Sequence, residues 1–133
     1  MSTETATALP QRDWVKMHLA LSALMLSRGA RPLYRVLFRV ALLNDSDVGV
    51  RLLGRKWVLR DRSGTTRVIE AQQVFNQRPV LTPGSAFSFG GCHEFEQPPT
   101  GMELRLFGTD QADGLFMTPP LVFSRRCFEM RRR

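Results

Sequence analysis

Hydrophobic and polar positions alternate along most of this chain from residue 33 onward. Between Tyr34 and Leu42 every second side chain is apolar, and Arg35 and Arg39 are among those that lie in between. A period of two is typical of a half-buried β-strand, here with a basic outer stripe. The same alternation returns in short segments at 48–52, 56–60, 66–70, 86–89, 103–107, 115–117 and 121–128.

Turn-forming residues separate these segments. Gly54 is expected to end one strand before the next begins, and Gly90 with Gly91 to mark a bulge or a close approach of two backbones. Seven or eight short strands separated in this way predict an all-β fold. We expect a β-sandwich over residues 33–128.

The N-terminal segment 13–29 has a different pattern, which predicts an amphipathic helix. Asp13 can cap its first turn, leucine, methionine and alanine fill its interior, and Gly29 ends it. Because its apolar surface is wide, this helix is not expected to lie alone in water. It either packs on its own sandwich or docks into a partner. The side chains that share its apolar face are Trp14, Met17, Leu21, Leu24 and Met25.

The composition supports one folded domain with polar ends. The chain has 133 residues, of which 43% are hydrophobic, so it can bury a core. Residues 1–12 predict a flexible tail and residues 129–133 a basic tail. No apolar run reaches the ~18 residues needed to cross a bilayer, so no membrane span is expected.

The charge of the chain is strongly positive. The formal net charge is +7, and arginine carries nearly all of the positive charge because Lys16 and Lys56 are the only lysines. Arginine binds phosphate through two hydrogen bonds and stacks on bases, which suits RNA or acidic protein surfaces. A GC-rich genome would explain the ratio of arginine to lysine but not the net charge. The alternative interpretation of the charge is a solvated basic face without a ligand.

Some of these arginines are expected to contact an RNA backbone. Such contacts depend on salt and not on base sequence. No set of exposed aromatic side chains for stacking on bases is visible, so specific recognition of an RNA or DNA sequence is not expected. The phosphate-contact candidates are Arg35, Arg39, Arg60, Arg62, Arg67, Arg78, Arg125, Arg126, Arg131, Arg132 and Arg133.

No pattern in the chain indicates catalysis, a metal site or a cofactor. Cys92 and Cys127 lack the spacing of a zinc site, and His18 and His93 are isolated. Cys92 and His93 are neighbours in a predicted strand, where adjacent side chains point to opposite faces, so no reactive pair is expected. Two isolated cysteines also make a poor disulfide framework, which favours a reduced, intracellular protein.

The stretch between Asp13 and Asp45 contains basic residues but no acidic ones. Arginine-rich, acid-poor amphipathic segments near an N-terminus are typical of mitochondrial import signals. Glu4 and Asp13 weaken this indication. We expect mitochondrial localisation, with the cytoplasm as the alternative.

Residues 55–64 carry the most informative motif of the chain, which predicts a strand that enters a turn. The tryptophan is expected to anchor the core. The arginine and the aspartate are expected to pair or to brace the turn. The positions of the motif are Arg55, Trp57, Leu59, Asp61 and Gly64.

This motif and the pieces that follow it resemble the ApaG domain, a small fibronectin-III-like β-sandwich. The resemblance implies a fibronectin-III/immunoglobulin-like sandwich for this chain. Pro83 and Gly84 are part of it, and they also predict a type II turn. The further pieces that keep the family's order are Pro79, Leu81, Met102, Phe116 and Phe123.

The chain departs from that family in the loop 71–78. The family has a glycine-rich loop here, which has been discussed as a cradle for pyrophosphate or a nucleotide. This chain has Ala71, Gln73 and Asn76 at the three glycine positions, and Arg78 at a glutamine. Side chains obstruct the close approach of backbone N–H groups to a phosphate. We therefore do not expect that ligand here.

These observations lead to a hypothesis of function. The chain is expected to be a non-catalytic ApaG-like interaction module in a larger ribonucleoprotein assembly, such as a mitochondrial ribosome or its assembly apparatus. Its helix and its basic surface would hold it there. One alternative is a small-ligand protein that binds phosphate compounds or is linked to divalent-cation tolerance, as ApaG proteins are. Another is a protein–protein adaptor like the ApaG domains attached to F-box proteins.

Overall fold

The computed structural model describes residues 9–27, 29–74, 77–124, 126 and 128. Over these residues the chain forms a β-sandwich of nine strands. The strands are β1 (Val15–Ser27), β2 (Leu33–Asn44), β3 (Val50–Asp61), β4 (Thr66–Ala71), β5 (Val80–Leu81), β6 (Ala86–Phe95), β7 (Pro99–Thr109), β8 (Leu115–Met117) and β9 (Leu121–Ser124).

Two antiparallel sheets form the layers of the sandwich. Sheet I has three strands in the order β1-β2-β6. Sheet II contains β4-β3-β7-β8, with β5 paired to β3 and β9 paired to β7. The all-β sandwich predicted from the sequence is therefore confirmed.

The core lies between the inner faces of the two sheets. Trp57 at its centre is 1% exposed, and Leu104 and Leu106 on the neighbouring strand β7 are fully buried. Val36 and Val40 of β2 cover them from the opposite sheet. Because side chains alternate across a strand, each segment with a period of two gives one face to this core and the other to solvent.

Residues 15–27 form strand β1, so the helix predicted over residues 13–29 is wrong. β1 pairs antiparallel with β2 along its whole length. Leucine, methionine and alanine favour a helix in isolation, but that preference is worth only tenths of a kcal/mol per residue and tertiary packing overrides it. The segment also alternates up to Leu21, with Val15, Leu19 and Leu21 buried.

The five residues assigned to a docking helix accordingly lie on or beside β1. Leu21 is buried, and Met17 and Leu24 pack against the core. Trp14, just before the strand, meets the ring of a core phenylalanine edge-on with the centroids 5.0 Å apart. Met25 is half exposed. The segment therefore packs on its own sandwich, as a strand in place of a helix.

Two glycines allow close packing inside strands. The sequence predicts that Gly54 ends a strand, but β3 continues through it with a β-bulge between Leu52 and Gly54. A Cβ atom on Gly54 would lie 2.7 Å from the carbonyl oxygen of Ala71, so glycine permits the approach of β4 here. The predicted close approach at Gly91 is found in β6, where a Cβ atom would lie 2.7 Å from the ring of Phe38.

Among the described residues, no helix has the length and apolar character needed to cross a membrane.

Candidate functional site

The motif of residues 55–64 lies on the inner face of β3 and in the turn that follows. Trp57 and Leu59 are buried, each 1% exposed. Trp57 packs against Phe38 of sheet I, with ring centroids 4.9 Å apart, and meets His93 edge-on at 4.6 Å. The motif tryptophan therefore joins the two sheets at the centre of the sandwich.

Asp61 organises the turn between β3 and β4. Its Oδ1 accepts hydrogen bonds from the Ser63 hydroxyl at 2.6 Å and from the backbone N–H groups of Ser63 and Thr65 at 2.9 and 3.2 Å. These bonds favour the charged form, so the pKa of Asp61 lies below its usual value, with the Ser63 hydroxyl as the main cause. Gly64 adopts a positive φ of 90°, which completes the turn.

The second predicted turn, at Pro83 and Gly84, has the expected geometry. Gly84 has a φ of 83°. The backbone N–H of Ser85 donates to the carbonyl of Thr82 at 2.9 Å. A positive φ at the third position of such a turn is the mark of type II. Both glycine turns thus have a role in the fold.

Arg55 does not pair with Asp61. The two residues are six positions apart along one strand, which at ~3.3 Å per residue separates them by about 20 Å. Arg55 points to the inner face, since it lies on the same side of β3 as Trp57. Its Nε is buried and has no hydrogen-bond partner among the described residues.

His93 packs among aromatic rings of the interior, a position that was not predicted from the sequence. Its ring stacks on Phe38 with the centroids 4.9 Å apart, and its Nε2 is buried without a hydrogen-bond partner in the described part of the chain. Burial, and then the charges of Arg67 and Arg55, lower the pKa of His93 to about 4. In β6 the inward positions are two residues apart and include Phe87, Phe89 and Phe95. Because His93 continues this alternation, the sequence indicates that it faces inward.

Cys92 points away from His93, to the outer face of sheet I, so these two residues do not form a reactive Cys–His pair. Burial, followed by the charge of Glu94, raises the pKa of its thiol, which favours the less reactive protonated form. Cys127 lies outside the described residues. Within those residues, no group of three His, Cys, Asp or Glu side chains is placed to hold a metal ion.

The phosphate-contact candidates are dispersed over the molecule. Arg35 and Arg39 lie on the outer face of sheet I, whereas Arg60 lies on the outer face of sheet II. Arg67 pairs across β3 with Leu59 and therefore faces the interior side, opposite to Arg60. Although both residues belong to the β3–β4 hairpin, Arg60 and Arg67 therefore lie on different faces of sheet II.

Several of the candidate guanidinium groups already have partners. Arg35 forms an ion pair with Glu94 at 2.9 Å. Arg67 donates to the Glu94 carbonyl and lies over the ring of Phe95, and Arg78 donates to the Gln72 carbonyl at 3.0 Å. The candidates Arg39, Arg60, Arg62 and Arg126 are exposed. Those that fall outside the described residues are Arg125, Arg131, Arg132 and Arg133.

An open groove of about 440 Å³ lies at the end of the sandwich beside the Asp61 turn. Carboxylates predominate over arginine in its lining, which does not suit a phosphate ligand. The loop 71–78 offers no glycine cradle either, although Asn76 lies outside the described residues. The residues that line the groove are Leu33, Leu59, Asp61, Ser63, Thr65, Arg67, Glu94, Phe95, Glu96 and Gln97.

The outer face of sheet I, which we call the sheet I face, is rich in small residues. Leu43 and Met25 are exposed on it, as Val68 and Val122 are on the outer face of sheet II. Arg39 lies between Ala20 and Gly90 and has no ion-pair partner among the described residues. The face consists of Lys16, His18, Ala20, Ala23 and Met25 of β1, Arg35, Leu37, Arg39, Ala41 and Leu43 of β2, and Ala86, Ser88, Gly90, Cys92 and Glu94 of β6.

The outer face of sheet II differs in its charge pattern. Lys56 lies directly across from Glu70 on β4 and from Arg105 on β7. Arg105 also approaches Glu103, with 3.9 Å between their charged atoms. Opposite charges on neighbouring strands favour a solvated face. The contrast between the two faces was not predicted from the sequence, although the apolar residues at outward positions of β2, such as Leu37 and Leu43, indicate it.

Comparison with known proteins gives the family of the chain. The model of the ApaG domain matches residues 26–105. Protein ApaG of Methylococcus capsulatus is 28% identical over 91 residues, which cover 66% of this chain and 72% of that protein. Protein ApaG of an Acidovorax species is 33% identical over 60 residues, 44% of each chain. The matched part thus spans less than half the length of the latter relative.

Solved structures share the fold at low sequence identity. An X-ray structure of a Northeast Structural Genomics Consortium target superimposes with a TM-score of 0.73 at 15% identity, covering 84% of this chain and 86% of that one. A Bordetella pertussis protein described as ApaA superimposes with a TM-score of 0.67 at 14% identity, covering 86% and 97%. The match to the family model covers more than half of the chain, and we conclude that the chain belongs to the ApaG domain family.

Proposed function

We propose that this ApaG-domain protein is a non-catalytic interaction module that binds a partner protein through the sheet I face. The observation that carries the proposal is the composition of this face. Small side chains lie beside Arg39, which has no ion-pair partner in the described part of the chain, and apolar side chains such as Leu43 are exposed on the same face. Centres of protein interfaces are poor in charge, and arginine and methionine are enriched in them.

The ionisable groups of the motif region support a non-catalytic role. Asp61 is engaged by the turn that it organises, and His93 is enclosed by the rings of Phe38 and Trp57. A general acid or base has to reach a substrate and to have a pKa near the working pH. His93 meets neither condition, because aromatic rings pack against it and its pKa is about 4.

Affinity capture with two variants, each of which introduces a negative charge on one face, tests this proposal. The tagged protein is incubated with lysate with and without RNase, and Ala41→Glu on the sheet I face is compared with Val68→Glu on sheet II. Both positions are exposed in strands, so both variants are expected to keep the fold. We expect an RNase-resistant partner that Ala41→Glu loses and Val68→Glu retains. Equal capture of the partner by both variants would contradict the proposal.

The second candidate function is the basic subunit of a ribonucleoprotein, such as a mitochondrial ribosome or its assembly apparatus. The net charge of +7 and the exposed Arg39, Arg60, Arg62 and Arg126 favour it. Binding to an unstructured RNA oligonucleotide at ~50 mM salt, with a steep decrease as salt rises, is the result it requires. A fluorescent fusion of the full chain tests the proposed mitochondrial location against the cytoplasm.

A further inference from the structure

We propose that the edge of β1 with which no described strand pairs, which we call the free edge, receives an extended, acidic strand of the partner. This strand would add a fourth strand to sheet I. This inference rests on the proposed function and names the docking mode and the chemistry of the partner. Strand addition supplies affinity through main-chain hydrogen bonds and specificity through alternate side chains.

Most edge strands of this sandwich are protected against the addition of a further strand. At one side, Arg67 of the edge strand β4 donates to the Glu94 carbonyl of the edge strand β6 and thereby ties the two sheets together. β4 also has only six residues, and it carries Arg67 and Glu70. The strands β5, β8 and β9 have two, three and four residues. Short length and charge are the usual protections of an edge.

β1 has little of this protection. It is 13 residues long and contains one charged residue, Lys16, and no proline or glycine. It ends the order of strands in sheet I, with β2 as its neighbour on one side. A bulge between Leu21 and Ala23 interrupts its register. Beyond this bulge, Met25 and Leu26 are 50% and 45% exposed, and an added strand would cover them.

The charges beside β1 point to an acidic strand. Two acids close to this face are already paired: Asp13 with Lys16 at 3.4 Å and Glu94 with Arg35 at 2.9 Å. Arg39 is left without an acid among the described residues. Arg39 is on β2, so β1 would lie between it and the added strand. At ~4.8 Å per strand, the added strand would be about 10 Å from Arg39. Ala20, its neighbour on β1, is small, so an acidic side chain on the added strand can reach across it.

Synthetic peptides provide the probe for this edge. One is a soluble peptide of ~9 residues with alternating valine and glutamate, and its matched control has lysine in place of glutamate. Binding to the full chain is measured by fluorescence anisotropy, and amide hydrogen exchange locates the contact. We expect the glutamate peptide to bind. In its presence the β1 amides that do not already donate to β2 should exchange at least ~10-fold more slowly, since paired edge amides are protected. The lysine peptide is expected not to bind.

A matched pair of variants tests the role of the arginine. Arg39→Glu is expected to weaken binding of the glutamate peptide ~10-fold or more, whereas Arg60→Glu on sheet II leaves it unchanged. Equal binding of both peptides, or protection outside β1, would overturn the proposal. So would a uridine oligonucleotide that competes for the same Arg39-dependent site, or a dimer whose β1 amides are protected without peptide.

The outcome also separates this inference from the function on which it rests. If partner capture depends on Ala41 but the glutamate peptide does not protect β1, the sheet I face binds a partner by another mode and the inference fails alone. If capture does not depend on Ala41 at all, the proposed function fails, whatever the peptide does.

Discussion

His93 stacks on Phe38 with the ring centroids 4.9 Å apart, although its Nε2 is buried without a partner among the described residues. A histidine in this position is held neutral, and its pKa falls to about 4 because of burial and of the charges of Arg67 and Arg55. The unfolded chain takes up a proton near pH 6.5 instead. The folded state therefore loses stability as the pH falls from 6.5 towards 4.

The first prediction concerns this loss. Between pH 7 and pH 4 the contribution of His93 to the free energy of unfolding is expected to decrease by up to about 3 kcal/mol. Urea unfolding at several pH values measures it. In His93→Phe this part of the pH dependence should disappear, whereas His18→Gln, at an exposed position, should keep it. A pH dependence that is equal in both variants would contradict the buried, neutral state of His93.

Trp57 joins the two sheets through its contacts with Phe38 and His93. Replacing it by alanine leaves a cavity at the centre of the core. We expect Trp57→Ala to lower the free energy of unfolding by about 3–5 kcal/mol. Arg60→Ala, three positions away on the outer face, should change it by less than ~0.5 kcal/mol. Similar losses in both variants would mean that the core is not centred on Trp57.

Gly54 is required by the close approach of β4. A Cβ atom there meets the backbone carbonyl of Ala71 at 2.7 Å, and backbone yields less readily than a flexible side chain. Gly54→Ala is expected to destabilise the protein by about 1–3 kcal/mol. In Gly101→Ala the nearest atom to the added Cβ would be 3.5 Å away, which is an ordinary contact. The midpoint of thermal unfolding of this variant should therefore be close to that of the wild type.

Asp61 holds a turn and is not expected to contribute to binding. Asp61→Ala removes three hydrogen bonds of the β3–β4 turn and should cost about 1–3 kcal/mol of stability. Partner capture at a temperature where the variant is folded should remain at the level of the wild type. A variant that is stable but no longer captures the partner would place Asp61 in the binding surface.

The sequence predicts the parts of this fold in which local and tertiary preferences agree. In the motif of residues 55–64, alternation puts Trp57 and Leu59 inward, and Asp61 and Gly64 have the chemistry that a turn requires. β1 is the counterexample. Its leucines, methionines and alanines favour a helix locally, and only pairing with β2, which no local rule reports, makes it a strand.

The candidate site was harder to predict because it depends on which strands are neighbours. Arg60 and Arg67 are close in sequence but lie on opposite faces of one hairpin. The sheet I face combines positions from β1 and β6, which are far apart in the chain and are brought together only by β2. The composition predicts the charge of the protein, but it does not predict that Arg39 lies among small residues on one face.

The most direct test of the sheet I face uses the two lysines of the chain. Lys16 lies on the sheet I face and Lys56 on the outer face of sheet II, so each reports on one side of the sandwich. Acetylation of both is measured by mass spectrometry in the free protein and in the captured complex. We expect the partner to slow the labelling of Lys16 several-fold and to leave that of Lys56 unchanged. Protection of Lys56 with Lys16 still fully reactive would contradict it.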